Sequence, residues 1–101
     1  MVKISIVEEE GKQIVKLGVY IDTPSTPEAE KALTPLLLHV DKDIVFDCID
    51  LDFIASSVLR LILKVLKNAK AEGHHAYIVN MAPNIREAFQ LTGFLNLFDQ
   101  M

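Results

Sequence analysis

The sequence predicts an α/β domain: a mixed β-sheet with helices packed against it, in the order β-β-α-β-α-β-α. Three observations predict it. Apolar residues alternate at period two near the start and recur at helical spacing later, short β-branched runs separate the helical stretches, and proline and glycine mark their ends. The 101 residues, 50% hydrophobic and 24% charged, fit one domain closing one core.

The alternation of Val2, Ile4 and Ile6 with Lys3 and Ser5 predicts a half-buried strand, and "EEEGK" around Gly11 the turn after it. In the return run "QIVKLGVYI", Val15, Leu17, Val19 and Ile21 share one face at period two, which predicts a second strand lying on a core. "DTPSTPE" breaks the pattern, and Thr26, Pro27 and Glu28 within it carry a helix start: a hydroxyl cap, a proline whose amide is not needed, an acid in the first turn. Ala29, Leu33, Leu36, Leu37 and Val40 follow at helical spacing. Pro35 conflicts with that spacing, since an interior proline costs roughly 3 kcal/mol, and predicts a kink or a restart.

"DIVFDCI" is short, β-branched and apolar in its middle, as expected of a central strand covered on both faces. From Ser57 to Lys70 an amphipathic helix is expected, with Val58, Ile62, Val65, Leu66 and Ala69 on one side, Arg60, Lys64 and Lys67 on another, and Gly73 at its end. "AYIVN" reads as the last strand. "APNIREAFQLTG" reads as a helix opening on Pro83 and closing on Gly93, and "FLNLF" as a turn packing back.

A net charge of -4 opposes attraction to phosphate backbones or anionic lipid, so neither nucleic acid nor a membrane surface is an expected partner. The single cysteine, Cys48, has no internal disulfide partner and reads as buried filler, a composition that suits a reducing cytoplasm. "MVKISIVEEE" reaches acid before any apolar run develops, and "VLRLILKVL" is interrupted by Arg60 and Lys64, so neither a signal peptide nor a membrane span is expected.

Chemistry is concentrated in "FIASSVLR". A strand ending near Ile54 and a helix beginning at Ser57 or Val58 put both Ser56 and Ser57 at a helix N-terminus, where unbonded amides and the dipole favour anions. By helix-end preference alone, one serine caps the helix and the other fills a turn. A hydrolase nucleophile is disfavoured because "IASSV" lacks the Gly-x-Ser-x-Gly elbow. His74 and His75 are adjacent, have no ligand pair at metal spacing, and read as a solvated turn. Asp41, Asp43, Asp47, Asp50 and Asp52 cluster around the third strand, where loop ends commonly carry aspartate; no glycine-rich phosphate loop accompanies them. Arg60, Lys64 and Lys67 share one helix face, either as a solvated surface or as a dock for an acidic partner.

Two stretches, "FDCIDLDFIASSVLRLILKVLKNAKAEG" and "YIVNMAPNIREAFQLTGFLNLF", carry a resemblance to the STAS domain family, of the bacterial anti-sigma factor antagonist type. The tail is its most specific part: Pro83, Ile85, Leu91, Thr92, Gly93, Leu95 and Phe98 match the family's Pro-initiated helix, Leu-Thr-Gly stop and closing Leu-x-x-Phe turn. The resemblance implies one STAS-like domain over residues 1–101, no enzymatic activity, and neither cofactor nor metal. The implied partner is an anti-sigma factor that is also a serine kinase, and the chain is expected to be a monomer or weak dimer. In the family a serine within an Asp-Ser-Ser/Thr-Gly motif is phosphorylated, which breaks the complex. Ser56 falls on that position and Ser57 beside it. The implied docking surface joins both serines to Arg60, Lys64 and Lys67.

The motif is altered on both flanks, with Ala55 where the family has Asp and Val58 where it has Gly. Losing the carboxylate removes a group that orients the hydroxyl, and Val58 is expected to add bulk where a partner's backbone approaches. Two alternatives follow: a diverged module that binds constitutively without phosphorylation, or a module that holds a nucleotide or anion.

Overall fold

The structure, a computed structural model, describes residues 2–99; the side chain of Val2, which the alternation groups with Ile4 and Ile6, and residues 1, 100 and 101 lie outside it. β1 (Val2–Glu9) and β2 (Lys12–Ile21) form the expected hairpin, antiparallel, with Glu9 opposite Lys12. Glu10 and Gly11 close it at φ of 50° and 77°, the two positive values that a two-residue turn needs to follow the strands' twist. β2 then pairs in parallel with β3 (Asp43–Ile54), and β3 in parallel with β4 (Ala76–Val79), so the mixed sheet has the order β1-β2-β3-β4. Each parallel pair requires a crossover, supplied by α1 (Thr26–Leu38) and α2 (Ser56–Ala71); α3 (Pro83–Thr92) follows β4. The expected element order is the observed one.

The core lies on one face of the sheet. Leu33 and Leu36 of α1, Ile62 and Val65 of α2, and Ile85 and Phe89 of α3 join a single cluster with Val15, Leu17, Ile44 and Phe46. The strand residues in that cluster alternate with Lys16 and Asp47, which pair with each other on the opposite face. The expectation that β3 is covered on both faces therefore fails: Val45, on the face away from the cluster, is buried by its strand neighbours Ile14 and Tyr77, and Ile49 is 65% exposed. β3 runs on beyond the apolar stretch 43–49 to Ile54, the end expected before the serines. Two register shifts against β2, between Lys16 and Gly18 and between Val19 and Tyr20, change the phase, so that Cys48, Leu51 and Ile54 are buried at every third residue.

α1 does not restart at Pro35 but runs unbroken through it. Pro35 stands in the last turn, where the missing amide removes one hydrogen bond only, and buried Leu33 and Leu36 hold the turn on the core. The helix start also differs from the expected hydroxyl cap: a 3-10 turn at Thr23–Ser25 precedes α1, and its cap is Asp22, whose carboxylate accepts from the Ser25 amide at 3.2 Å and the Ser25 hydroxyl at 2.6 Å.

The other two helix ends follow from their residues. α3 opens on Pro83 and closes on Gly93, whose φ of 76° is the left-handed conformation a Cβ disfavours. The closing turn brings the Phe98 ring edge-on to Phe46 and to Phe89, both at 5.9 Å between centroids.

Candidate functional site

The site forms where β3 gives way to α2. Ala55 is extended (φ -78°, ψ 153°); its amide donates to the Ile21 carbonyl at 2.8 Å, fixing the end of β3 to the end of β2. Its own carbonyl accepts from the amides of Val58 at 3.0 Å and Leu59 at 3.1 Å, which starts α2 at Ser56, one residue before the expected start. A methyl group cannot cap a helix, so no side chain bonds the first amides. The amides of Ser56 and Ser57 point out of the helix N-terminus without an acceptor among the described residues.

The two serines differ in environment. Ser56 is exposed, and among the described residues no hydrogen bond engages its hydroxyl. Ser57 is half-buried, its Oγ 2.7 Å from Thr26 Oγ1 at the first residue of α1. From Ser56 the exposed face of α2 continues through Arg60, Lys64 and Lys67, so four of the five expected docking residues share one stripe and Ser57 faces α1 instead. None of the three cations pairs with a carboxylate among the described residues.

Both departures from the family motif point inward. Ala55 is 5% exposed and Val58 is 0% exposed, within the core cluster. The expectation that Val58 adds bulk at the docking surface is therefore wrong: its side chain fills core beneath that surface.

The remaining candidates lie elsewhere. His74 Nδ1 stands 3.6 Å from Asp43 and His75 Nδ1 3.3 Å from Asp99, at the start of β3 and β4, the opposite end of these strands from Ser56. They cannot serve its hydroxyl as a base. The five aspartates do not converge: Asp43 accepts from the His75 amide, Asp47 from Asn80 and the Ile49 amide, and Asp50 and Asp52 lie near the far end of β3. Among the described residues no three His, Cys, Asp or Glu side chains are placed to share a metal ion. Cys48 is buried, and burial, with Asp47's charge beside it, pushes its thiol up to about 12, so it is no nucleophile. A shallow cleft of about 550 Å³ on the open sheet face, bordered by Lys3, Lys16, Ile49 and Asp52, includes neither serine.

Sequence reasoning missed two features of the surroundings. One is the Thr26 contact, 31 residues away in sequence. The other is an exposed aromatic pair, Tyr20 and Phe53, stacked at 4.7 Å between centroids on the open face just before Ile21 and Ile54. Its only sequence signal is an aromatic residue next to the last buried residue of each strand.

The chain is similar to proteins known by sequence and by structure. The anti-sigma-B factor antagonist of Staphylococcus aureus is 29% identical over 82% of this chain and 77% of its own length. The crystal structure of an anti-sigma factor antagonist from Mycobacterium paratuberculosis superposes with a TM-score of 0.78 over 97% of this chain and 83% of that one, at 22% identity. The phosphorylated form of the Bacillus cell fate determinant SpoIIAA covers the whole chain, and 91% of its own, with a TM-score of 0.66 and 19% identity. At such identities the two structures speak for the fold alone. No helix among the described residues is long and apolar enough to cross a membrane. The STAS domain model matches residues 3–101, and the chain belongs to the STAS domain family.

Proposed function

We propose that the chain is an anti-sigma factor antagonist that works in the cytoplasm by partner switching, as a binding protein and not an enzyme. Unmodified, it docks an anti-sigma factor that is also a serine kinase; a phosphate on Ser56 breaks the complex. The observation that carries this reading is the position of Ser56: exposed, heading a cationic stripe, at an uncapped helix N-terminus. In the transfer, Ser56 Oγ attacks the γ-phosphorus of ATP held by the partner. An oxygen–phosphorus bond forms, the bond to ADP breaks, and the hydroxyl proton passes to a base of the partner.

The phosphate brings about -1.5 to -2 charges to a surface that otherwise presents Arg60, Lys64 and Lys67. The Ser56 and Ser57 amides and Arg60, one turn on, are the groups able to hold it against this chain. An acidic partner face that fits the stripe before modification is then repelled. The exposed Tyr20–Phe53 pair, at the ends of β2 and β3 that lead into this site, offers apolar contact beside it.

The test is incubation with the kinase-type anti-sigma factor recovered with this chain from its native cytosol, ATP and magnesium, followed by mass spectrometry and calorimetry. One phosphate on Ser56, none in Ser56→Ala, and at least tenfold weaker binding of Ser56→Asp are expected. Equal phosphate uptake by Ser56→Ala, or unchanged binding after modification, refutes the reading. Ala55, which removes the family's carboxylate beside the acceptor, favours a second reading in which binding is constitutive; binding without any phosphate uptake would establish it.

A further inference from the structure

The contact between Ser57 and Thr26 has a direction that follows from counting protons. Thr26 Oγ1 lies 2.7 Å from the Thr23 carbonyl oxygen, which only accepts, so the single threonine proton goes there. The 2.7 Å bond between Thr26 Oγ1 and Ser57 Oγ is therefore donated by Ser57. A relay results: Ser57 donates to Thr26, Thr26 donates to Thr23, and Ser25 donates from both its amide and its hydroxyl to Asp22. Together with the amide of Ala55 on the Ile21 carbonyl, it attaches the 22–26 turn to the first turn of α2, beside Ser56. A phosphate on Ser57 would replace the donated proton and press its oxygens against Thr26; Ser56 carries no such commitment.

We propose that the Ser57–Thr26 hydrogen bond is a positioning lock: it holds the 22–26 turn next to Ser56 so that the partner kinase reads turn and serine as one surface, and it reserves Ser56 as the acceptor. This rests on the partner-switching reading and adds to it a role for Ser57 distinct from modification. Ser57 and Thr26 are positioning residues, and the turn becomes part of the recognition surface.

The test compares Ser57→Ala, Thr26→Val, their double variant, and the hydroxyl-keeping Ser57→Thr and Thr26→Ser, as substrates of the same partner kinase with ATP. Removing either hydroxyl is expected to raise KM about 3- to 10-fold, the worth of one hydrogen bond, with kcat changed less than about twofold. The phosphate stays on Ser56, the double variant matches either single one, and the hydroxyl-keeping pair retains the wild-type KM. Wild-type KM in both hydroxyl-less variants, additive losses in the double, or phosphate on wild-type Ser57 would overturn the lock. Hydrogen exchange at the Ser25 and Thr26 amides tests it without the partner: Ser57→Ala is expected to speed exchange about 3- to 10-fold, and equal rates overturn it. A wild-type chain that shows the lock by exchange but neither binds the kinase nor takes phosphate instead sinks partner switching.

Discussion

Asn68 Nδ2 of α2 donates to the carbonyl oxygen of Leu37 in α1 at 2.8 Å, at the same 31-residue separation as Ser57 from Thr26. The equal offsets mean that α1 and α2 run parallel and in step, tied by one polar contact near each end. The Asn68 amide also reaches the Leu36 carbonyl at 3.2 Å, so it serves two of the carbonyls that the end of α1 leaves without intrahelical partners. Asn68→Ala is expected to lower stability by about 1–2 kcal/mol in denaturant unfolding. Asn68→Asp, nearly the same shape but without the donor, is expected to cost more, because a carboxylate there faces two carbonyl oxygens. Equal stability of Asp and Asn at this position would show that the contact carries nothing.

At the end of the sheet away from Ser56, Asp99 and Ala76 exchange two bonds: the Asp99 amide donates to the Ala76 carbonyl at 2.8 Å, and the Asp99 carboxylate accepts from the Ala76 amide at 3.1 Å. The clasp holds the closing turn, with its Phe98 ring, on the start of β4. The bond from Ala76 lowers the carboxyl pKa, burial opposes it, and Lys70 and His75 add to the lowering, so the net shift is downward. A carboxylate that is harder to protonate when folded stabilises the fold fully above its unfolded pKa, about 3.9, and loses that contribution as pH falls through the lower folded value. Asp99→Ala is expected to cost about 1–2 kcal/mol at neutral pH. The stability curves of variant and wild type should converge in acid; a gap that widens there contradicts the assignment.

Ala55 leaves α2 uncapped, which makes it a place where stability can be raised. Serine at this position puts one oxygen within reach of the Ser57 and Val58 amides, and Ala55→Ser is expected to add about 1 kcal/mol. For a chain of this size that is a rise of roughly 4–8 °C in thermal midpoint. A lower midpoint would mean that burial of the position outweighs the cap.

The elements were legible because their signals are local. Alternation defined β1 and β2, and Pro83 and Gly93 bracket α3 by the same chemistry read from the letters. What escaped depends on partners distant in sequence. The burial of every third residue in the second half of β3 follows from register shifts against β2, and the tolerance of Pro35 from the packing of Leu33 and Leu36. Within the site, Ser56 and Ser57 are chemically alike in the sequence, and only the phase of α2 against α1 turns one to solvent and the other to Thr26. Val58 was legible twice, with opposite results: helical spacing put it in the apolar stripe, and motif comparison put it at the docking surface. The spacing was the better guide, because it states a direction and the motif states only a position.

That contrast defines a last measurement at Val58. If the family's glycine kept a surface clear, Val58→Gly would improve partner binding at little cost. With Val58 fully buried, the substitution instead removes core volume and places glycine in the first turn of a helix, so a loss of about 3 kcal/mol is expected. The affinity of the folded fraction should stay within about twofold of wild type, since nothing that faces the partner has changed. Tighter binding with unchanged stability would return Val58 to the surface. The expected result makes the two departures from the motif changes in how α2 is seated, with the exposed Ser56 left in place above them.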